Sequence, residues 1–244
     1  MTGSNYFVTG ASSGIGRAVV TELVKHDVRV FAMTRDAHHA DDLVSRYGAS
    51  KIVTVVGDLQ NISALDKIVP NLIKEYGPFS GLAHCGGIVR FESLKKLSYE
   101  RNLEMMQIHY FSFVELLRLL TFKKDRNLPF NAVAVTSLTA VKSMRDMAAY
   151  SAAKAAIEGF IRSASLELLE NNIFINALRP GLVDTPMLEI VKYTKENPEE
   201  WKRNLQPLGM IPADAVASEV LHLLLRVNPF VTGTVVDVNG GMPI

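Results

Sequence analysis

Seven short apolar runs rich in β-branched residues, at 6–9, 28–33, 52–56, 81–84, 132–136, 174–178 and 235–238, alternate with longer stretches of helical periodicity. A strand that is apolar on both faces must be covered on both, and strands separated by helices must be joined by crossovers. The pattern therefore predicts a doubly wound α/β fold: a mostly parallel sheet of seven strands with helices on both faces. No Pro/Gly/Ser-rich linker, charge run or internal repeat divides residues 1–244, so one domain is expected. The exception to the rhythm is the polar stretch 184–210, with Pro186, Lys192, Lys195, Pro198, Glu199, Glu200, Trp201 and Pro207. An excursion of that length directly after a strand end is expected to form a substrate lid, with Met187, Leu188, Ile190, Val191, Trp201 and Met210 as an apolar lining.

At 48% apolar residues the chain can bury a core without staples. Its single cysteine, Cys85, excludes an internal disulfide, and no Cys/His array has zinc-ligand spacing, so no metal is expected. A reducing cytoplasm fits this composition. Lys+Arg 26 against Asp+Glu 25 leaves no basic block for nucleic acid, which points to a small-molecule partner. Residues 1–6 enter a strand without an export signal, and no apolar run approaches the ~20 residues needed to cross a bilayer, so a soluble protein is expected.

Thr9-Gly10-Ala11-Ser12-Ser13-Gly14-Ile15-Gly16 falls between the first strand and a helical run at 17–25, the context of a phosphate loop. Glycines let the chain turn and let a pyrophosphate approach, while the helix start offers free N–H groups. Ser12 and Ser13 add hydroxyl donors. At the end of the second strand, where an acidic residue would hold the ribose of NAD, stand Thr34 and Arg35. A guanidinium there suits a 2′-phosphate, so NADP(H) is expected in preference to NAD(H). Asp36 is either a rival ribose ligand or the N-cap of a helix at 37–46, and the cap is preferred. Asp58-Leu59 closes the third strand, where Asp58 would meet adenine or cap the helix at 62–75. His38-His39 beside Asp41-Asp42 is read as a solvated helix start rather than a metal site.

Tyr150 and Lys154 stand four residues apart on a helical run at 148–169 and so share a face. A free tyrosine titrates at about 10. A cation about 4 Å away contributes on the order of 4 kcal/mol at intermediate dielectric, enough to bring Tyr150 to roughly 7 to 8. Ser137, thirteen residues before Tyr150 at the end of the fifth strand, would hold the substrate oxygen.

Together these motifs resemble the short-chain dehydrogenase/reductase family across nearly the whole chain. The resemblance implies a Rossmann-type sheet binding NAD(P), Ser137 as oxygen stabiliser, Tyr150 as acid/base, and Lys154 on the nicotinamide ribose, lowering the tyrosine pKa. It also implies that Pro180-Gly181-Leu182-Val183-Asp184-Thr185 is the family's PGxVxT segment, with Val183 and Thr185 holding the carboxamide. The tail from Thr232-Gly233 to Asn239-Gly240-Gly241 matches its C-terminal strand and turn.

Two positions depart from the family. His84-Cys85-Gly86-Gly87 replaces NNAG and removes two asparagines that tie strands and loop together, although Gly86 and Gly87 still permit close approach to the cofactor. His109 replaces the asparagine of the fourth helix that is thought to hold a water on the proton path. It is read as a pH-sensitive member of the relay or as a buried, satisfied histidine. Cys85 is read as a buried strand-end residue in preference to a reactive thiol. The apolar stripes at 101–121 and 148–169 match helices that pair between subunits in this family, implying a homotetramer or dimer.

The leading expectation is an NADP(H)-dependent reductase of a ketone or aldehyde, or the reverse alcohol dehydrogenase. A 3-oxoacyl-thioester reductase is the alternative within the family, with Lys123, Lys124 and Arg126 as candidate contacts for an acidic carrier. A non-catalytic NADP-binding sensor is the alternative from another class.

Overall fold

A computed structural model of the chain describes residues 3–121, 125, 127–142, 144–190, 206–226 and 230–244. Lys123, Lys124, Arg126, and Val191, Lys192, Lys195, Pro198, Glu199, Glu200 and Trp201 of the expected lid lie outside the described residues.

The central sheet is built from β1 (Ser4–Thr9), β2 (Val28–Thr34), β3 (Ile52–Val56), β4 (Phe79–His84), β5 (Phe130–Val135), β6 (Ile173–Pro180) and β9 (Val235–Val238). Its order is β3-β2-β1-β4-β5-β6-β9, and every neighbouring pair is parallel. This is the expected Rossmann-type α/β domain. Strand order reverses between β1 and β4, the point at which a doubly wound sheet opens a crevice beyond its carboxyl ends.

Alternation along β1 shows why both faces need cover. Tyr6 and Val8 enter one core with α1 (Gly14–Leu23), α2 (Ala37–Tyr47) and α7 (Ala213–Leu224). Phe7 enters the other, with α3 (Ile62–Tyr76), α5 (Ser112–Thr121) and α6 (Ala148–Leu168). None of these side chains is more than slightly exposed, and burying each Val, Leu or Phe contributes roughly 1.5–3 kcal/mol.

The helix expected over 101–121 is interrupted. It begins as α4 (Tyr99–Met106), widens into a π-turn segment at Gln107–Phe111, and resumes as α5. Ser112 Oγ donates to Ile108 O at 2.7 Å, and the extra residue turns His109 inward to full burial.

The excursion after β6 has paired feet. Its outgoing end, β7 (Val183–Asp184), runs parallel to its returning end, β8 (Ile211–Pro212), and Ile211 N donates to Leu182 O at 2.9 Å. Among the described residues no helix is long and apolar enough to cross a membrane.

Candidate active site

Thr9 and His84 are register partners at the carboxyl ends of β1 and β4. There the turn after β1 crosses the loop after β4 at backbone distance: a Cβ on Gly10 would sit 2.7 Å from Gly86 Cα, and one on Gly16 2.2 Å from Gly10 O. Gly10 also has a φ of +67°, so neither position admits a side chain. The space left is a groove lined by Gly10, Ser12, Ser13, Gly14, Ile15, Gly16, Thr34, Arg35, Asp58, Leu59, Cys85, Gly86 and Gly87. Ser13 stands at the N-cap of α1 without a side-chain cap bond. The first amides of α1 are thus left to a ligand, and a glycine cradle under a helix N-terminus fits the pyrophosphate of a dinucleotide.

Asp36 turns away from this groove. Its carboxylate accepts from His38 N at 2.8 Å and caps α2, while Thr34 Oγ1 donates to Asp36 O at 2.8 Å. Asp58 lines the groove but does not cap α3. It accepts from Gln60 N at 2.9 Å in an Asx turn, and Asn61 provides the cap by accepting from Ala64 N.

The replaced asparagines have substitutes. Thr9 Oγ1 accepts from Cys85 N at 3.1 Å and Gly86 N at 3.0 Å, which occupies its lone pairs, so its own proton goes to His84 Nδ1 at 3.1 Å. His84 therefore carries its hydrogen on Nε2. Burial holds its pKa down at about 3, and the ring is a neutral tie between β1 and β4. Cys85 is half-buried, with burial pushing its thiol up to about 12, which removes the thiolate a reactive cysteine needs.

A second pocket joins the groove through Ile15, Cys85, Gly87, Thr185 and Met187, which line both. It brings together Ser137, Tyr150, Lys154 and His109 with Pro180, Gly181, Val183 and Thr185. Val89, Phe91, Met144, Met147 and Leu188 form an apolar wall. Ser137 begins a short 3-10 turn, accepting from Thr139 N at 3.2 Å and Thr139 Oγ1 at 3.0 Å, and its hydroxyl bonds the phenol of Tyr150. Ser137 is thus a strand-end cap and a phenol partner at once.

Lys154 lies one turn beyond Tyr150 on α6. Its Nζ donates to Val135 O at 2.8 Å and stands 5.7 Å from the centre of the Tyr150 ring. The expected lowering of the phenol is not present in this geometry. Burial dominates and pushes Tyr150 up to about 12 against the bond from Ser137, while burial draws Lys154 down to about 8.

His109 meets Tyr150 edge to face, with ring centres 5.3 Å apart. Its Nε2 lies 2.9 Å from Ile88 O and 3.4 Å from Ile88 N; with Nε2 donating to the nearer carbonyl, Nδ1 is an acceptor, buried with no hydrogen-bond partner among the described residues. Burial and the Lys154 charge hold His109 well below its ordinary pKa, so the ring stays neutral across the physiological range. A Cβ on Gly87 would sit 2.4 Å from His109 Cε1, so this histidine requires glycine there.

Three groups around the pocket escaped the sequence reading. Gln206 accepts from Leu182 N at 2.7 Å and donates to Leu182 O at 3.0 Å, locking the segment after Pro180. Glu158 and Arg179 form a buried ion pair behind Lys154, their side chains only 2% and 10% exposed. Glu158 had one visible signal: it continues the row Tyr150, Lys154 at i+4 spacing as a charge on an otherwise apolar helix face.

The profile of the short chain dehydrogenases matches residues 4–196. Acetoacetyl-CoA reductase of Acinetobacter sp. is 28% identical over 96% of this chain and 96% of its own length. A 3-oxoacyl-[acyl-carrier-protein] reductase of Thermotoga maritima is 25% identical over 100% of this chain and 99% of its own. Carbonyl reductase family member 4 of Danio rerio is 28% identical over 97% of both chains.

Proposed function

The chain belongs to the short-chain dehydrogenase family, and from that premise we propose that it is an NADP(H)-dependent oxidoreductase that reduces a small carbonyl substrate, with Tyr150 as the acid/base. The observation that carries this reading is the convergence of Ser137, Tyr150 and Lys154 on one pocket that opens into the glycine-lined groove. NADP(H), when bound, supplies or accepts the hydride. Gly10, Gly14 and Gly16 would accommodate its pyrophosphate, Arg35 its 2′-phosphate, Asp58 and Leu59 its adenine, and Val183 and Thr185 its carboxamide. The engagement of Asp36 as the cap of α2, beside an Arg35 that lines the groove, supports NADP(H) over NAD(H).

Ser137 holds the substrate oxygen beside the phenol. Tyr150 is placed to donate its proton to the carbonyl oxygen in reduction and to take one back in the reverse direction. Lys154 lends positive charge to the phenolate that forms. The excursion 184–210 is the lid in this reading, and the apolar wall favours a substrate with an apolar substituent beside its carbonyl. The enzyme would work in a reducing cytoplasm as a homo-oligomer paired through α5 and α6, where Val114, Leu117, Phe160 and Leu168 line a groove.

A second reading, reduction of a 3-oxoacyl thioester, draws on the names of two of the relatives. Thermal stabilisation by NADPH and NADH in parallel, followed by NADPH oxidation with acetoacetyl-CoA and with an apolar aryl ketone, tests both. A saturating nucleotide at about 100 times its Kd adds roughly 2.7 kcal/mol to the folded state. NADPH-selective stabilisation with ketone turnover is the expected result, and turnover of acetoacetyl-CoA alone selects the second reading. Stabilisation by NADPH without any turnover that depends on Tyr150 selects the non-catalytic sensor.

A further inference from the structure

A hydroxyl has one proton to give and two lone pairs to fill, so whatever occupies the lone pairs decides where the proton goes. At Ser137 both are filled by a single residue. Thr139 N donates to Ser137 Oγ at 3.2 Å, and Thr139 Oγ1 donates to it at 3.0 Å. The Ser137 proton is thereby directed away from the turn, and its partner on the pocket side is the phenol of Tyr150. Thr9 obeys the same rule at the other end of the cleft: with its lone pairs filled by Cys85 N and Gly86 N, its proton goes to His84.

The two bonds from Thr139 have different origins. The amide bond closes a serine turn, the i to i+2 contact that forms with any residue but proline at 139. The hydroxyl bond belongs to the side chain alone. The turn does not need it, because Ala140 N donates to Ser137 O at 2.9 Å and Val141 N to Leu138 O at 3.1 Å. The backbone thus closes the Leu138–Ala140 turn by itself, and the Thr139 hydroxyl serves Ser137.

Ser137, Thr139 and Tyr150 line the same pocket, and Thr139 is only 9% exposed, so water has little access to replace its bond. Without the Thr139 hydroxyl, one lone pair of Ser137 would be open. Ser137 would then accept from the phenol of Tyr150 as readily as donate to it, and two protons meant for the pocket would be turned on each other.

We propose that Thr139 is a positioning residue: it fills the acceptor capacity of Ser137 and so fixes that hydroxyl as a one-way donor toward the substrate oxygen. The arrangement is a property of the turn, while its value for turnover rests on the reductase reading. A donor already aimed at the oxygen needs no reorganisation as negative charge develops there, so it favours the transition state over bound substrate.

Thr139→Val keeps the branched shape and the amide bond and removes only the hydroxyl. In NADPH-dependent ketone reduction it should lose about tenfold in kcat, the scale of one neutral hydrogen bond, with KM changed by no more than about twofold. Thr139→Ser keeps the hydroxyl and should stay within about threefold of the native rate. A role in packing predicts the reverse order, with Thr139→Val active and Thr139→Ser impaired, and that order overturns the proposal. If Thr139→Val does not fold, Thr139→Ala against Thr139→Ser isolates the same hydroxyl. In a Ser137→Ala background Thr139→Val should have no further effect, and full additivity of the two losses also overturns the proposal.

The proton positions are read without turnover, by neutron diffraction from crystals of the deuterated, nucleotide-free protein. The Thr139 deuteron should lie on the line to Ser137 Oγ, and the Ser137 deuteron should point to Tyr150. A Ser137 deuteron aimed at Thr139 Oγ1 overturns the proposal and leaves the reductase reading standing. The expected deuterons with an undiminished kcat in Thr139→Val refute the positioning role, again without touching that reading. The expected deuterons in a protein that turns over no carbonyl refute the reductase reading and leave the one-way donor standing.

Discussion

The two ends of the cleft are built by opposite means. The nucleotide groove exists because side chains are missing: Gly10, Gly16 and Gly86 let two backbone segments cross at a distance no Cβ would permit. The chemical pocket exists because polar side chains have been buried: Ser137, Tyr150, Lys154, His109 and Glu158 all lie within it or directly behind it. The first kind of site is intolerant of added atoms and the second of lost partners. A substitution that is harmless at one end should therefore be disabling at the other.

Tyr150→Phe is expected to have the largest effect on the chemical end, lowering kcat by about three orders of magnitude, the usual scale of a lost acid/base group. Nucleotide-dependent thermal stabilisation should survive in the same variant, and its loss would break the division between the two ends. Gly16→Ala tests the groove, because its methyl would meet Gly10 O at 2.2 Å. About 3 kcal/mol of stability should be lost in urea denaturation, together with the response to NADPH. Full stability in that variant would mean the crossing is looser than described.

The pocket side also carries a pH signature. The folded chain holds His84 at about 3 and His109 well below its ordinary value, both by burial. The unfolded chain takes up those protons at about 6.5, so below that pH it binds more protons than the folded state and stability falls with acidification. From pH 7.5 to 5.5 the denaturation free energy should drop by roughly 2 to 3 kcal/mol, about 1.4 kcal/mol from each imidazole over the whole interval. Replacing both histidines with asparagine should flatten that slope, and an equally steep profile in the double variant would locate the effect elsewhere. The smallest change is expected at the exposed rim of the groove, where Arg35→Ala should weaken NADPH about tenfold and leave NADH unchanged. Calorimetric titration with both nucleotides measures it.

The same contrast governs what could be read from the residues. The strands were legible because two-sided burial writes continuous apolar runs, and the phosphate loop because Gly10, Gly14 and Gly16 fall within one short segment. Asp36 was legible as a cap, since capping is local. The chemical end depends on residues distant in sequence. His109 is turned inward by a π-turn whose extra residue has no periodic signature, and its site exists only because Gly87 leaves room. Asp58 and Asn61 are both good caps, and the path of the chain after β3 chose the latter. Tyr150 was expected near neutrality from Lys154 alone, but spacing along a helix does not reveal how completely the phenol is buried. Burial outweighs the neighbouring charge. Glu158 and Arg179, 21 positions apart, could be paired only once α6 was laid against β6.

The pairing of β7 with β8, reinforced by Gln206 on Leu182, means that the excursion leaves and rejoins the domain through one narrow base. Because the ends are already held together, lengthening the stretch between them adds only a logarithmic entropy cost, about 0.6 kcal/mol per doubling. The sheet and its helices do not register such a change. Changes of length between residues 190 and 206 are therefore expected to be absorbed at that base, while Thr185, Met187 and Leu188 keep their places at the pocket.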